Sequence, residues 1–186
     1  MKPLTPSTPH VIVMVGIPGA GKTHFAKHFA KTFNAPFLNH HVIADLSSSS
    51  EQKSGELSSL LLDEIMKTQR TVVLEAPLGA RKARQSVAKK TKAAGYTTLF
   101  VWVQTDSDEA RRRSTKRGGR HDKASFEESV RSFQPMHSSE SFIVISGKHT
   151  FATQVKSVLR HLAEPRPAST PKPRPGVQNN RNIVVR

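Results

Sequence analysis

The sequence predicts a three-layer α/β fold in which helices cover both faces of a mainly parallel, five-stranded sheet. Two observations indicate this class. Short apolar runs rich in β-branched residues alternate with segments of helical periodicity between residues 10 and 163, an order typical of parallel strands joined by crossover helices. The first apolar run leads directly into a glycine-rich turn and a helix. A chain of 186 residues is also long enough to bury one ordinary core.

Five segments are predicted to be strands. Residues 11–15 are wholly apolar, which is typical of a strand buried on both faces. Residues 37–38 follow Pro36, and residues 71–74 run into Glu75. Residues 97–103 form the clearest strand, and residues 142–145 form the last one. This spacing leaves room for a helix between most neighbouring strands.

The predicted helices lie between these strands. In residues 21–33 a phenylalanine recurs at every fourth position, and residues 57–66 carry a leucine-rich helical stripe. Residues 81–94 form a basic helix that Gly95 closes, and residues 106–117 form a charged helix that two glycines interrupt. The last helix has an apolar stripe made by Phe151, Val155, Val158, Leu159 and Leu162.

The two ends of the chain differ in composition from the middle. Residues 1–9 are rich in Pro, Ser and Thr, so we expect a flexible leader before a domain that spans residues 10–163. Residues 164–186 hold five prolines among basic and polar neighbours, which predicts a disordered tail. No apolar run approaches the length of a membrane helix, and no secretory signal is recognisable. With no cysteine in the chain, these features favour a cytoplasmic protein.

Positive charge is concentrated in three segments. The chain has 29 Lys and Arg against 14 Asp and Glu, a net charge of +15. Most of the excess lies in residues 81–92, 111–123 and 164–186, and the rest is close to neutral. Such segments attract phosphate groups on a nucleotide, a nucleic acid or another anion. The alternative is a solvated surface that keeps the protein soluble.

The sharpest motif follows the first strand. It fits the phosphate-loop (Walker A) pattern G-x-x-x-x-G-K-[ST], and it has the strand and the helix that this motif requires. Backbone N–H groups of such a loop cradle phosphates, its lysine reaches the β- and γ-phosphates, and its hydroxyl ligates Mg²⁺. We therefore expect ATP and Mg²⁺ to bind at Gly16, Ile17, Pro18, Gly19, Ala20, Gly21, Lys22 and Thr23.

Two further groups are candidates for the site. Glu75 ends the third strand, where a carboxylate can hold Mg²⁺ or orient a nucleophile; the alternative is a surface glutamate. Arg113 and Arg117 share one helix face, which costs stability unless an anion sits between them. A phosphoryl group in transfer is such an anion. The following Gly118 and Gly119 could hinge this segment over a nucleotide; the alternative is a solvated basic helix.

These features resemble a known family, the P-loop kinases related to polynucleotide kinase and zeta toxin within the AAA-like P-loop NTPase superfamily. The resemblance covers roughly residues 11–162. It is carried by the phosphate loop, Glu75, Thr105-Asp106, Arg113, Arg117, Phe126 and Phe133-Gln134-Pro135. It implies a P-loop NTPase fold and an ATP- and Mg²⁺-dependent phosphotransferase with a mobile arginine lid, in which Thr23 and Glu75 serve the metal.

One part of the sequence departs from that family. Its members usually carry an Asp just after the second strand, as the catalytic base, often with an Arg two residues later. Here residues 39–45 read Asn-His-His-Val-Ile-Ala-Asp, so His41 stands in the register of the Asp and the Arg is missing. Asp45, one helical turn later, can reach the same space. Asp45 as base, His41 as base and a loss of activity remain open.

Two functions are compatible with these observations. The first is a kinase that transfers the γ-phosphate of ATP to a hydroxyl of a small molecule or a nucleic acid, with catalytic Lys22, Asp45, Arg113 and Arg117. The second is an ATP-dependent binding module or weak ATPase that holds nucleic acid through its basic segments and tail, without kinase turnover. The low aromatic content, 6%, gives no sign of base-stacking platforms for the second.

Overall fold

Five parallel strands form the central layer of the molecule. The computed structural model describes residues 8–47, 50–116 and 122–163. The strands are ordered β2-β3-β1-β4-β5, and all neighbouring pairs are parallel. Their bounds are His10–Val15 (β1), Phe37–Asn39 (β2), Val72–Glu75 (β3), Thr97–Gln104 (β4) and Phe142–Ser146 (β5). The predicted five-stranded parallel sheet is confirmed.

Seven helices surround the sheet in the described part of the chain. They are Lys22–Phe33 (α1), His40–Ser47 (α2), Glu51–Lys67 (α3), Arg81–Ala93 (α4), Ser107–Lys116 (α5), Lys123–Ser132 (α6) and Phe151–Ala163 (α7). The predicted helices are present, and α3 begins six residues before its predicted stripe. Helices α2 and α6 had not been predicted. None of the described helices has the length and hydropathy that crossing a membrane would require.

Several sequence predictions concern residues outside the described ranges. Arg117 and the glycine pair at 118–119 are among these, as are residues 1–7 of the expected leader and the tail at 164–186. The structure therefore tests neither the arginine lid as a whole nor the predicted boundaries of the leader and the tail.

Two hydrophobic clusters lie on opposite faces of the sheet. Along β1, Ile12 and Met14 face the cluster that contains Phe25 and Phe29 of α1 and Val158 of α7. Val11, Val13 and Val15 face the other cluster, which includes Leu62 and Met66 of α3 and partly buried residues of α4. The two faces explain why residues 11–15 are all apolar, because alternate side chains enter different cores.

The carboxyl ends of the strands meet at one edge of the sheet. The phosphate loop follows β1, Asn39 ends β2 and Glu75 ends β3, while Gly147 follows β5. Register pairs Met14 and Asn39 each with Glu75. Because open parallel sheets bind ligands at this edge, the fold brings residues from distant parts of the chain to one place.

Arg84 joins two loops at that edge. It was predicted within a basic segment that could be a solvated surface, and for this residue that alternative is wrong, since the structure buries it completely. Its guanidinium pairs with Glu140, with an Nε–Oε1 distance of 2.7 Å. It also donates hydrogen bonds to backbone carbonyls of Leu78, Gly79, Gln134 and Pro135. The segment before α4 is thereby tied to the segment after α6.

Candidate nucleotide-binding site

A cavity of about 1070 Å³ opens at the carboxyl edge of the sheet. The phosphate loop lines its centre. One end is lined by residues that follow β2 and β3, with Ser129, Ser132 and Phe133 at the end of α6. The other end is lined by the turn after β5 and by Gln154 of α7. A cavity of this size can hold a nucleotide together with a second small molecule.

The phosphate loop depends on glycine at positions 16 and 19. Gly16 has a φ of +142° and Gly19 a φ of +75°, values that side-chain-bearing residues rarely adopt. A Cβ on Gly19 would lie 2.0 Å from the carbonyl oxygen of Ala110, and one on Gly16 would lie 2.6 Å from that of Val103. The loop is thus packed closely against α5 and β4. The backbone N–H groups that open α1 lack intrahelical acceptors, which suits them to bind an anion.

Lys22 is held inside the loop. Its Nζ donates hydrogen bonds to the carbonyl oxygens of Gly16 and Ile17, at 2.9 and 3.0 Å. Burial lowers the pKa of Lys22 from its ordinary value, while the nearby Glu75 carboxylate acts in the opposite direction. A buried ammonium group in the middle of a glycine loop fits a triphosphate, because phosphate oxygens supply the charge that offsets its desolvation.

Thr23 and Glu75 form a pair of oxygen donors beside the loop. The Thr23 hydroxyl donates to Glu75 Oε1 at 2.8 Å, and Asn39 Nδ2 donates to Glu75 Oε2 at 3.3 Å. Glu75 is 2% exposed, so it is not a surface glutamate. Burial raises its pKa above the ordinary value, against the opposing effects of Lys22 and the Thr23 hydrogen bond. Hydroxyl and carboxylate oxygens are the ligands that Mg²⁺ prefers.

The segment after β2 brings Asn39 and His41 to the cavity. Asn39 Oδ1 accepts hydrogen bonds from the backbone N–H groups of His41 and Val42, which caps the start of α2. His41 and Val42 line the cavity, whereas Asp45 is exposed and is not among the lining residues. Sequence reasoning had treated Asn39 only as part of the departure from the kinase pattern. Its contact with Glu75 arises from the β2–β3 register, which the sequence around Asn39 does not predict.

Arg113 reaches the cavity from α5. Its Nε donates to Glu109 Oε1 at 2.8 Å, and its Nη1 donates to the carbonyl oxygen of Gly147 at 3.1 Å. Arg112 also binds Glu109, and hydrogen bonds from both arginines hold the pKa of Glu109 below its ordinary value. Arg112 does not line the cavity. Of the arginines of this helix that the structure describes, Arg113 alone contributes to the cavity wall.

The turn after β5 packs against the phosphate loop. A Cβ on Gly147 would lie 2.1 Å from the carbonyl oxygen of Ala20, so only glycine fits there. Thr105 Oγ1 donates to that same carbonyl at 3.0 Å. His149 and Gln154 line the cavity next to Gly147. Sequence reasoning missed Gly147 and Gln154, because Gly147 is required by its contact with Ala20, more than 120 residues earlier in the chain, and Gln154 joins the site only where the fold places α7 at the cavity.

The model of the AAA domain family (AAA_33) matches residues 11–136, which include the phosphate loop, Glu75 and Arg113. The chain belongs to this family. No curated protein matches the chain.

Solved structures of similar fold agree with this assignment. An unliganded sugar kinase from Janibacter sp. HTCC2649 has a TM-score of 0.65 and 19% identity, over 83% of this chain and 94% of that one. Kti12 from Chaetomium thermophilum, in complex with ADP-AlF3, has a TM-score of 0.63 and 14% identity, over 83% of this chain and 100% of that one. A chain of the Pnkp1/Rnl/Hen1 RNA repair complex has a TM-score of 0.61 and 20% identity, over 67% of this chain and 44% of that one. The predicted P-loop NTPase fold and the resemblance to P-loop kinases are confirmed.

Proposed function

We propose that this AAA-family protein is an ATP- and Mg²⁺-dependent kinase that transfers the γ-phosphate to a hydroxyl group of a small molecule or a nucleic acid. One observation carries the proposal: the Thr23–Glu75 pair stands beside the phosphate loop, and the same cavity is also lined by residues after β2 and at the end of α6, which we call the second compartment. A protein that only held ATP would need no such compartment. Likeness in fold to a sugar kinase and to a chain of an RNA repair complex supports both acceptor classes.

The phosphate loop and Lys22 bind the triphosphate. The loop amides from Gly16 to Thr23 surround the phosphates. Without nucleotide, the Lys22 ammonium donates hydrogen bonds to two loop carbonyls. When the triphosphate is bound, it donates to phosphate oxygens instead. The oxygens of Thr23 and Glu75 fit a magnesium ion, which neutralises charge on the β- and γ-phosphates when it is bound. Asn39 orients Glu75 by its hydrogen bond to Oε2.

The second compartment receives the acceptor. Its hydroxyl oxygen attacks the γ-phosphorus, the bond from that phosphorus to the bridging oxygen of ADP breaks, and the hydroxyl proton passes to a base. His41 lines this compartment and is the base that we favour; Asp45 remains the alternative from the sequence. Arg113, on the other side of the loop, stabilises charge on the phosphates, and Arg117 is proposed to join it.

A transfer assay tests this function. Purified protein is incubated with γ-labelled ATP, Mg²⁺ and a panel of sugars, nucleosides and oligonucleotides. We expect labelled product with one class of acceptor, and its loss in Lys22→Ala. Lys31→Ala is the matched control, because Lys31 is exposed on the same helix and does not line the cavity. If neither labelled product nor ATP loss exceeds that of Lys22→Ala, the proposal is wrong.

A second candidate follows from the residues after β2. The missing Asp and Arg of the kinase pattern are compatible with an ATP-dependent nucleic-acid-binding module or weak ATPase. In that case ATP is hydrolysed slowly or only bound, no acceptor becomes labelled, and ATP changes the affinity for an oligonucleotide. The same panel therefore separates the two functions.

A further inference from the structure

The cavity has two ends that serve different parts of the substrates, if the proposed function holds. The phosphate loop lies at the centre, and Glu75 with His41 marks the end where the γ-phosphate meets its acceptor. The nucleoside must then leave the loop toward the opposite end. That end is formed by the turn after β5, together with His24 at the start of α1 and Gln154 on α7.

The amide of Gln154 is locked in one orientation. Its Nε2 donates to the carbonyl oxygen of Ser146 at 2.8 Å. Because a carbonyl only accepts, the reversed amide would set two oxygens against each other. The Ser146 carbonyl is itself fixed, since it also accepts from the His149 amide in the same turn. Gln154 therefore keeps its nitrogen toward Ser146, and its Oε1 is left as an acceptor for another group.

That acceptor has no partner in the described part of the chain. Gln154 is 5% exposed, and its Oε1 is buried with no hydrogen-bond partner among the residues that the structure describes. A buried polar atom without a partner destabilises the folded protein. Within the wall of a ligand cavity, such an atom is accounted for when the ligand supplies the missing donor.

We propose that Gln154 selects the nucleobase: its Oε1 accepts a hydrogen bond from the exocyclic amino group of adenine. The inference rests on the proposed function, because it requires a nucleoside triphosphate on the phosphate loop. At the position of that amino group, guanine carries a carbonyl oxygen, which the fixed Oε1 repels. Purine riboside triphosphate carries only hydrogen there, so the Oε1 atom stays without a donor. The site then prefers ATP to both.

Binding of three triphosphates to the unmodified protein tests this assignment. Calorimetric titrations with Mg²⁺ use ATP, purine riboside triphosphate and GTP. We expect the purine riboside compound to bind about 10-fold more weakly than ATP, and GTP at least as weakly, because the lost contact leaves a buried acceptor unsatisfied. This comparison needs no variant, so it does not depend on how a substitution folds.

A matched pair of variants locates the effect. In Gln154→Met we expect ATP and the purine riboside compound to bind within about 2-fold of each other, since no acceptor remains to distinguish them. Gln85→Met makes the same change at an exposed position of α4 outside the cavity, and it retains the 10-fold preference. Equal binding of the two purines by the unmodified protein overturns the inference and leaves the nucleotide site standing. Failure of all three to bind overturns the inference together with the proposed function.

Discussion

The Glu75 carboxylate destabilises the folded protein when it is ionised, and it also lies at the candidate metal site. Burial raises its pKa, so the folded protein holds this proton more tightly than the unfolded chain does. Stability must then fall as pH rises from the ordinary value of 4.5 toward the raised value, and the ionised carboxylate costs free energy at neutral pH. Strain of this kind is typical of functional groups.

Replacing Glu75 by Gln should therefore stabilise the protein without ligand. We expect the melting temperature of Glu75→Gln to exceed that of the unmodified protein at pH 7, because the neutral amide carries no desolvated charge. The difference should shrink as the pH falls below 4.5, where Glu75 is protonated in both states. Thermal unfolding over a pH series measures it. A difference that is largest in acid would contradict the argument, and the same variant should lose phosphate transfer.

The second prediction for single residues concerns the identity of the general base, for which His41 and Asp45 are the candidates. His41 lines the acceptor compartment and Asp45 does not. We expect His41→Asn to lower kcat about 100-fold, the usual worth of a general base, and Asp45→Asn to leave it within about 3-fold. Both are measured with the best acceptor from the transfer assay. The opposite ranking would assign the base to Asp45.

The phosphate loop and Glu75 were predicted from sequence because their signals are local. A fixed spacing between a strand and a helix defines the loop, and the end of an apolar run marks Glu75. Arg84 and Gln154 were not predicted, because each acquires its role from a contact made by the fold. In the sequence, nothing distinguishes Arg84 from its basic neighbours, because its partner Glu140 lies 56 residues away.

At the scale of elements, periodicity predicted the strands and most helices to within two residues, but α3 begins six residues before its predicted stripe. Helix α6 was not predicted, because its sequence is mostly polar and Phe126 is its one buried residue. Helix α2 was not predicted, because no connecting residue separates it from β2: the strand ends at Asn39 and the helix begins at His40. Its cap is the Asn39 side chain, which the sequence alone did not distinguish from a turn residue.

The contact between the phosphate loop and α5 gives a prediction at this scale. We expect Gly19→Ala to destabilise the protein and to abolish ATP binding, because the new methyl group would collide with the Ala110 carbonyl at a positive φ. Gly55→Ala is the control: Gly55 lies inside α3 with nothing within 4 Å of the added Cβ. It should stabilise the protein by about 0.5–1 kcal/mol through helix propensity. Denaturant unfolding and calorimetry measure the two effects.

The Arg84–Glu140 pair gives a second prediction for elements. Although burial acts the other way, hydrogen bonds from Arg84 and from the His137 amide hold the pKa of Glu140 below its ordinary value. Arg84→Met should cost about 3–5 kcal/mol of unfolding free energy, because Glu140 stays buried without its partner. Lys89→Met, an exposed change on the same helix, should stay within about 0.5 kcal/mol. A small effect of Arg84→Met in denaturant unfolding would show that the loops do not depend on the pair.

For the whole molecule, the net charge of +15 predicts weak, non-specific attraction to nucleic acid. We expect affinity for an oligonucleotide to fall steeply between 50 and 200 mM salt, through counterion release. Neutralising the exposed Lys82, Lys89 and Lys92 of α4 to Gln should reduce the salt dependence and leave ATP affinity unchanged, since none lines the cavity. Binding that ignores salt would contradict this account and indicate a dedicated nucleic-acid site.

The position of β1 in the middle of the sheet has a consequence for how such a protein can change. Residues at the ends of β2 and β3 line the cavity on one side of the phosphate loop, and residues after β5 line it on the other side. Because these two groups of described residues lie on opposite sides of the phosphate loop, substitutions that alter one need not disturb the other. Under the proposed function, acceptor preference can drift over evolution, or be redesigned in the laboratory, while the nucleotide half is inherited intact.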